Sequence, residues 1–179
     1  MNCLWTCKVL KFTITTFITM QEKQDHTFFL KMTVDEAFNG MREGEGGPFG
    51  AVITSNGKVI GRGHNTVLAS SDPTAHAEVN AIRNACKHLR SHQLSGAVIY
   101  SNFEPCPMCL AAIYWSGIRS LFYCNNRSDA ERIGFMDNFL YRELTLDQDQ
   151  REIKTSQRRL PEMEMLIEEW MGMEGKKFY

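Results

Sequence analysis

The sequence predicts an α/β fold in which helices cover a central β-sheet. Strand-like and helix-like segments alternate along the chain, which is typical of layered α/β domains. The 179 residues are enough for one domain with a sizeable core, and 43% apolar and 23% charged residues are ordinary for a globular protein. No repeat, linker or second domain is visible after Met20, so we predict a single domain over residues 20–179.

The first half of the domain predicts a helix followed by a hairpin. Apolar residues recur three and four positions apart within residues 27–43, which predicts a helix, and the Gly-rich stretch 44–48 ends it. Residues 49–54 and 58–62 then have strand-like patterns. The Ser55-Asn56-Gly57 sequence between them predicts the turn of a hairpin.

Helices and strands also alternate in the second half. Asp72 or Thr74 is predicted to cap the second helix, which begins near Pro73 or Ala75. Cys86 lies on its apolar face and is interpreted as a buried, unreactive thiol. The further predictions are a loop at 65–71, a strand at 97–100, a turn at 102–105, a third helix through 109–115, a strand at 120–124, a short helix at 129–132, no single element at 137–144, and a helix at 162–173.

The first 19 residues are predicted to be a non-native or disordered extension. They are rich in Thr, Ile, Phe and Leu, but polar residues, including Lys8 and Lys11, interrupt them. Such a stretch suits neither a membrane span nor a signal peptide. We therefore expect the native chain to start at Met20, and we assign no metal role to Cys3 and Cys7 in the extension.

Charge and cysteine usage favour a small substrate and a reducing compartment. The net charge is −1 and the pI about 6.5, and no long run of Lys and Arg indicates a nucleic-acid surface. The six cysteines lack the spacing of a disulfide framework, and the best-spaced pair belongs to a metal motif. A thiolate metal site needs a reducing environment, so a cytoplasmic protein without membrane or nucleic-acid partners is predicted.

Two short motifs predict a catalytic zinc site. His76-Ala77-Glu78 is followed by Pro105-Cys106-Pro107-Met108-Cys109. His76, Cys106 and Cys109 supply three zinc ligands and leave a fourth position open for water, as in catalytic sites. A redox Cys-x-x-Cys motif would not need the upstream His-x-Glu. A structural zinc site would need a fourth protein ligand, and the other Cys and His residues lack paired spacing.

The same motifs predict a deamination reaction. We place His76 in the first turn of the second helix, and Cys106 and Cys109 in the first turn of the third, so that two helix ends present the ligands. Zinc lowers the pKa of a bound water from about 15.7 toward 7. Glu78 can then carry the water proton to a ring nitrogen and to the departing amine, as in zinc nucleobase deaminases. Glu104 is expected to orient the substrate through its backbone.

From Met20 onward the sequence resembles bacterial guanine deaminases of the cytidine deaminase-like superfamily. The zinc motifs are common to the superfamily, whereas Gly134-Phe135-Met136-Asp137 and the terminal Tyr179 are narrower matches. The other matching stretches are 46–53, Asn65, 72–78, 104–115, Asn138-Phe139 and 176–179. The resemblance implies three α/β/α layers around a five-stranded mixed sheet, one Zn²⁺ per subunit, and hydrolysis of guanine to xanthine and ammonia. It also implies a homodimer that exchanges the C-terminal segment 145–179.

The resemblance also implies roles for residues around the zinc site. Asn65 would hydrogen-bond the purine, and Phe49 would pack near the base. Asp137 would contact the amine and the N1 side of the base and take part in catalysis. Tyr179 would reach over the site of the partner subunit and help to close it.

Other functions stay open at this point. The same chemistry could serve a tRNA adenosine deaminase, which acts on a base flipped out of an RNA loop, or a deaminase of guanosine or of ammeline-like triazines. The chain could also be a zinc-stabilised scaffold without activity, although an inactive site would not need Glu78. Met136 and Asn102-Phe103 depart from the guanine deaminase pattern, so the sequence leaves the fine specificity open.

Overall fold

The strands form one mixed β-sheet in the computed structural model, which describes residues 25–178. The strands are β1 (Gly50–Ser55), β2 (Lys58–His64), β3 (Val98–Phe103) and β4 (Ser120–Asn125). Their order across the sheet is β2-β1-β3-β4. β1 is antiparallel to both β2 and β3, whereas β4 is parallel to β3.

Helices cover both faces of this sheet. In chain order they are α1 (His26–Arg42), α2 (Val67–Ser70), α3 (Ala77–Leu89), α4 (Pro107–Trp115), α5 (Arg127–Arg132), α6 (Asp137–Thr145) and α7 (Pro161–Gly172). α1 packs on one face, while α3 packs on the other and also contacts α4. The predicted three-layer α/β/α architecture is therefore confirmed.

The core has two parts because successive strand residues point to opposite faces of the sheet. Ile53 and Ile99 pack against the alanines of α3. Val52 and Tyr100 pack on the opposite face with Phe29 of α1. β1 and β3 are thus buried on both faces, and the helices on either side are fixed to the same two strands.

Two glycines of β2 let the N-terminal half of α3 lie close to the sheet. A Cβ added to Gly61 would lie 2.5 Å from the carbonyl oxygen of Ala81, and one added to Gly63 would lie 2.6 Å from that of Ala77. Only a residue without a side chain fits at such a distance. This close approach holds the start of α3, which carries His76 and Glu78, against the edge of the sheet.

The predicted hairpin is confirmed, and two short helices are new. Asn56 and Gly57 have φ angles of 49° and 72°, as a type I′ turn requires. Residues 67–70 were predicted as part of a loop but form α2. Residues 137–144, whose pattern predicted no single element, lie in α6.

The predicted start of the second helix is wrong. α3 begins at Ala77 rather than near Pro73 or Ala75. Asp72 does not cap it, because its Oδ1 accepts hydrogen bonds from the backbone N and the Oγ1 of Thr74 over 2.8 and 2.7 Å. A side chain that stabilises a turn in this way competes with helix initiation.

The sheet has four strands within residues 25–178, rather than the five that the resemblance implied. The chain after α6 contains the polar run 147–152, which lacks the alternation of polar and apolar residues that a strand needs. Residues 146–160 accordingly form turns and irregular structure. Within residues 25–178, β4 is hydrogen-bonded to one strand, β3.

The C-terminal helix α7 exposes its apolar side to solvent. None of its residues is buried, and Met163, Leu166, Ile167 and Trp170 are exposed. An exposed apolar surface of this kind often marks a site of contact with another chain.

Some predictions fall outside the described residues. They are the extension 1–19, the start at Met20 and the role of Tyr179, and they stay predictions, as does the single domain over residues 20–179. Between residues 25 and 178, no helix combines the length and the apolar character needed to cross a membrane.

Candidate metal centre and active site

Three side chains converge on a point between the N-termini of α3 and α4. Nδ1 of His76 lies 3.6 Å from Sγ of Cys106 and 3.6 Å from Sγ of Cys109. Neighbouring ligand atoms of a tetrahedral zinc site are also roughly 3.6 Å apart, given the usual Zn–N and Zn–S bond lengths. The donor set and its spacing therefore fit one zinc ion.

Helix ends present two of these ligands. His76 and Cys106 are the N-cap residues of α3 and α4, each one position before the first turn in which it was predicted. Both have an extended backbone, and neither side chain caps its own helix, so both side chains are available to a metal. Cys109 lies in the first turn of α4, as predicted. The positive ends of the two helix dipoles favour thiolates at this point.

Hydrogen bonds among the three ligands shift the pKa of each of them. A hydrogen bond with Cys109, reinforced by the adjacent His76, lowers the pKa of Cys106 to about 4. The same hydrogen bond and burial raise the pKa of Cys109. A hydrogen bond with Cys106 raises the pKa of His76. Protons therefore compete with a metal ion for Cys109 and His76.

Glu78 lies beside the ligands but is separate from them. It is in the first turn of α3, is 6% exposed, and accepts a hydrogen bond over 3.2 Å from Oγ of Ser101 on β3. Burial raises the pKa of its carboxyl group. Sequence reasoning missed Ser101, because a single serine on a buried strand carries no local signal of this contact.

A cavity of about 410 Å³ adjoins the metal ligands, and its size suits a small molecule. Within residues 25–178, every predicted site residue except Cys109 lines it. Tyr179 lies outside the described residues. The lining residues are Gly46, Gly47, Phe49, Asn65, Val67, Leu68, Pro73, His76, Glu78, Glu104, Cys106, Phe135 and Asp137.

Aromatic rings and an amide form another part of the cavity wall. Phe49 packs edge-on against Phe135 at 4.6 Å and against Phe103 at 5.1 Å. Asn65 is 5% exposed, and its Oδ1 accepts a hydrogen bond from the backbone N of Val67 over 3.1 Å. Because Oδ1 is used in this way, the amide group of Nδ2 is the part of Asn65 that is available as a donor.

Asn102 holds the aromatic part of the wall in place. Its Oδ1 accepts from the backbone N of Gly50 over 2.8 Å, and its Nδ2 donates to the carbonyl oxygen of Pro48 over 2.9 Å. These two bonds fix the backbone on both sides of Phe49. No local sequence pattern signals this role, since Asn102 and its partners are more than 50 residues apart.

Asp137 enters the cavity from the start of α6. Burial raises the pKa of its carboxyl group. α6 is tied to the metal-ligand loop by Tyr141, whose hydroxyl donates to the carbonyl oxygen of Pro105 over 2.8 Å. The guanidinium of Arg127 lies over the ring of Tyr141 at 4.5 Å. Sequence reasoning missed both Tyr141 and Arg127.

Glu104 lines the cavity, but part of its backbone is committed to the fold. Its backbone N donates to the carbonyl oxygen of Asn125 over 2.7 Å. Its Oε2 accepts from the backbone N of Arg127 over 3.1 Å. Glu104 therefore joins the loop before α4 to the start of α5, and its backbone N–H is not available to a substrate.

The family model for the cytidine and deoxycytidylate deaminase zinc-binding region matches residues 23–125. The chain is 45% identical to guanine deaminase from Bacillus subtilis over 155 residues, which are 87% of this chain and 99% of that protein. The crystal structure of the same enzyme superimposes with a TM-score of 0.83 over the same shares of the two chains.

Two other similarities cover less of the chain. A tRNA-specific adenosine deaminase from Aquifex aeolicus is 41% identical over 96 residues, which are 54% of this chain and 63% of that protein. The structure of guanine deaminase from Nitrosomonas europaea is 31% identical, with a TM-score of 0.54 and coverage of 63% of each chain.

Proposed function

Because this chain belongs to the cytidine and deoxycytidylate deaminase zinc-binding family, we propose that it hydrolyses guanine to xanthine and ammonia. The observation that carries the proposal is the match to Bacillus subtilis guanine deaminase, which extends over 87% of this chain and 99% of that protein. The match to the Aquifex aeolicus tRNA adenosine deaminase spans only 54% of the chain. A cavity of about 410 Å³ is large enough for one nucleobase.

His76, Cys106 and Cys109 are the proposed ligands of one zinc ion per subunit. Bound zinc would supply Lewis-acid activation of a water, whose pKa it lowers from about 15.7 toward 7. The geometry that supports this assignment is the 3.6 Å spacing of the imidazole nitrogen from each sulfur.

Glu78 is the proposed proton carrier. Its carboxylate accepts a proton from the attacking water and delivers it to the ring nitrogen next to C2 of guanine. The second proton of that water, carried by the new hydroxyl group on C2, passes through Glu78 to the exocyclic amine as the C2–N bond breaks, so that ammonia leaves and a carbonyl replaces it. Burial raises the pKa of Glu78, and a raised pKa suits a group that both takes and returns protons.

Phe49, Asn65 and Asp137 are the proposed contacts of the base. The ring of Phe49 packs near the purine, and Nδ2 of Asn65 donates to an acceptor atom on its edge. The carboxylate of Asp137 accepts from the N–H groups on the N1 and amine side, and it assists proton transfer to the leaving amine. Adenine carries no N–H at N1, so Asp137 would favour guanine.

The proposed assembly is a cytoplasmic homodimer that exchanges the segment 145–179. The exposed apolar side of α7 supports an interface in this segment. In such a dimer, Tyr179 would reach over the cavity of the partner and help to exclude water from it.

The experiment is a substrate comparison with zinc-loaded protein. Ammonia release is followed with guanine, guanosine, adenine, cytosine and ammeline, and xanthine is identified in the guanine reaction. We expect turnover of guanine well above the others. The matched control is zinc-loaded Glu78→Gln, which keeps the size of the side chain and is expected to lose about 10²-fold or more of the rate.

Other outcomes would change the proposal in defined ways. Turnover of another compound in place of guanine would reject the assignments of Asn65 and Asp137 and keep the zinc chemistry. No ammonia release from any of the five compounds, together with deamination of tRNA, would favour the adenosine deaminase function of the partially matching relatives. Full activity of Glu78→Gln would reject the proton-transfer mechanism.

A further inference from the structure

A histidine–carboxylate pair, His64 and Glu45, supports the part of the cavity wall that contains Gly46, Gly47 and Asn65. Nε2 of His64 forms a hydrogen bond with Oε2 of Glu45. Glu45 directly precedes Gly46 and Gly47, which line the cavity, and His64 directly precedes Asn65. Neither Glu45 nor His64 lines the cavity itself. The pair therefore joins two separate segments of the cavity wall from outside.

Glu45 also supports a third segment of the same wall. Its carbonyl oxygen accepts hydrogen bonds from the backbone N of Leu68 and of Ala69, each over 3.0 Å. Its own backbone N donates to the carbonyl oxygen of Gly40 over 3.0 Å. α2, which brings Leu68 to the cavity, is thus attached through Glu45 to the end of α1.

His64 is held in one orientation by its surroundings. Its ring packs on Gly40 of α1, where an added Cβ would lie 2.4 Å from the imidazole Cδ2. Nδ1 lies 3.7 Å from Oε2 of Glu36, and the backbone carbonyl accepts from Nδ2 of Asn80 over 2.9 Å. A ring fixed on both edges can transmit its position to the next residue, Asn65.

We propose that His64 and Glu45 form a positioning pair that holds Gly46, Gly47 and Asn65 in the geometry needed to bind the base. This proposal rests on the proposed function, because it gives this wall the task of recognition. The hydrogen bond between the His64 and Glu45 side chains involves neither the metal ligands nor Glu78. Loss of the pair should therefore weaken substrate binding while leaving zinc content and the chemical step nearly intact.

The test compares His64→Gln, Glu45→Gln and the double variant as zinc-loaded proteins. A hydrogen bond to a carboxylate corresponds to about tenfold or more in an equilibrium constant, so we expect KM for guanine to rise about tenfold in each single variant, with kcat within about twofold. The double variant should be no worse than either single one, because both remove the same interaction. His88→Gln, on the exposed end of α3, is the matched control and should behave as wild type.

A second readout does not depend on the substrate. Hydrogen–deuterium exchange of the free proteins should be faster at the amides of Leu68 and Ala69 in both single variants and unchanged in His88→Gln. If wild-type protein failed to deaminate guanine, the proposed function would be wrong. The exchange rates at Leu68 and Ala69 would still show whether His64 and Glu45 stabilise this segment of the cavity wall.

The proposal is overturned by any of three results. One is a fall in kcat or in zinc content with KM unchanged. Another is an additive effect in the double variant, which would mean that the two residues act independently. The third is unchanged exchange at Leu68 and Ala69 in both single variants.

Discussion

Ser101 donates a hydrogen bond from its hydroxyl group to Oε1 of Glu78 over 3.2 Å. Ser101 lies on β3 and Glu78 in the first turn of α3, and both are buried. A hydroxyl group that donates to one carboxylate oxygen restricts rotation of the carboxylate. The sheet therefore orients the group that we propose as the proton carrier.

Replacing Ser101 by alanine should slow the chemical step. A hydrogen bond to a charged group contributes about 1.5–3 kcal/mol, so we expect Ser101→Ala to lower kcat on the order of tenfold. KM should change little, since Ser101 does not line the cavity. Steady-state kinetics with guanine measure both constants, and Ser128→Ala, at an exposed position of α5, is the control. An unchanged kcat would show that Ser101 has no part in orienting Glu78.

The zinc ligands were predictable because short motifs carry them. Cys106 and Cys109 are three residues apart at the start of one helix, which places them on one side of it, and His76 and Glu78 are close because only one residue separates them in the chain. The sequence also predicted the hairpin, since Asn56-Gly57 is suited to the positive φ angles of its turn. In both cases the interacting residues are neighbours in the chain.

The supporting contacts were not predictable for the opposite reason. Ser101 and Glu78 are 23 residues apart, and Tyr141 and Pro105 are 36 apart. Only the tertiary structure brings such partners together, and a single serine or tyrosine has no distinctive pattern. The fifth strand was an expectation from resemblance rather than from the residues, and the polar run 147–152 does not provide it.

Zinc affinity should fall as the pH is lowered. The pKa values of Cys109 and His76 are both raised, so protons compete with zinc for each of these ligands as the pH falls. Affinity should therefore rise with pH, on the order of tenfold per pH unit for each proton displaced. Competition with a chelating indicator between about pH 6 and 8 measures this slope.

Cys124→Ser provides the control for the zinc measurement, because Cys124 is an exposed thiol of β4 outside the ligand cluster. It should bind zinc as tightly as wild type at every pH. Cys106→Ser should bind zinc much more weakly. A zinc affinity that did not depend on pH, or that rose as the pH was lowered, would contradict competition between protons and zinc for Cys109 and His76.

Tyr141→Phe should weaken substrate binding without removing the ring beneath Arg127. The substitution removes the hydrogen bond to the carbonyl oxygen of Pro105 and keeps the contact of the ring with the guanidinium. Because Tyr141 holds α6, and Asp137 begins α6, we expect KM for guanine to rise about fivefold. Tyr114→Phe, on the exposed side of α4, is the matched control and should leave KM unchanged. Equal constants for Tyr141→Phe and wild type would mean that the hydroxyl group does not help to place Asp137.

The proposed exchange of C-terminal segments can be tested by mixing two inactive proteins. Glu78→Gln lacks the proton carrier, and Tyr179→Ala lacks the residue proposed to cover the partner's cavity. If segments are exchanged, one site of a mixed dimer combines an intact Glu78 with the intact Tyr179 of the other chain, and activity returns. If each chain covers its own cavity, both sites of the mixed dimer stay defective.

Random mixing makes half of the dimers mixed, with one complete site of two in each, so we expect about one quarter of wild-type activity. The chains must be unfolded and refolded together, or coexpressed, so that the subunits can mix. The two variants, prepared separately and combined without subunit mixing, are the control and should stay inactive. Activity no greater than that of the separate proteins would reject the exchange, whereas recovery would also assign Tyr179 to the site of the partner, because no other arrangement brings the two intact residues together.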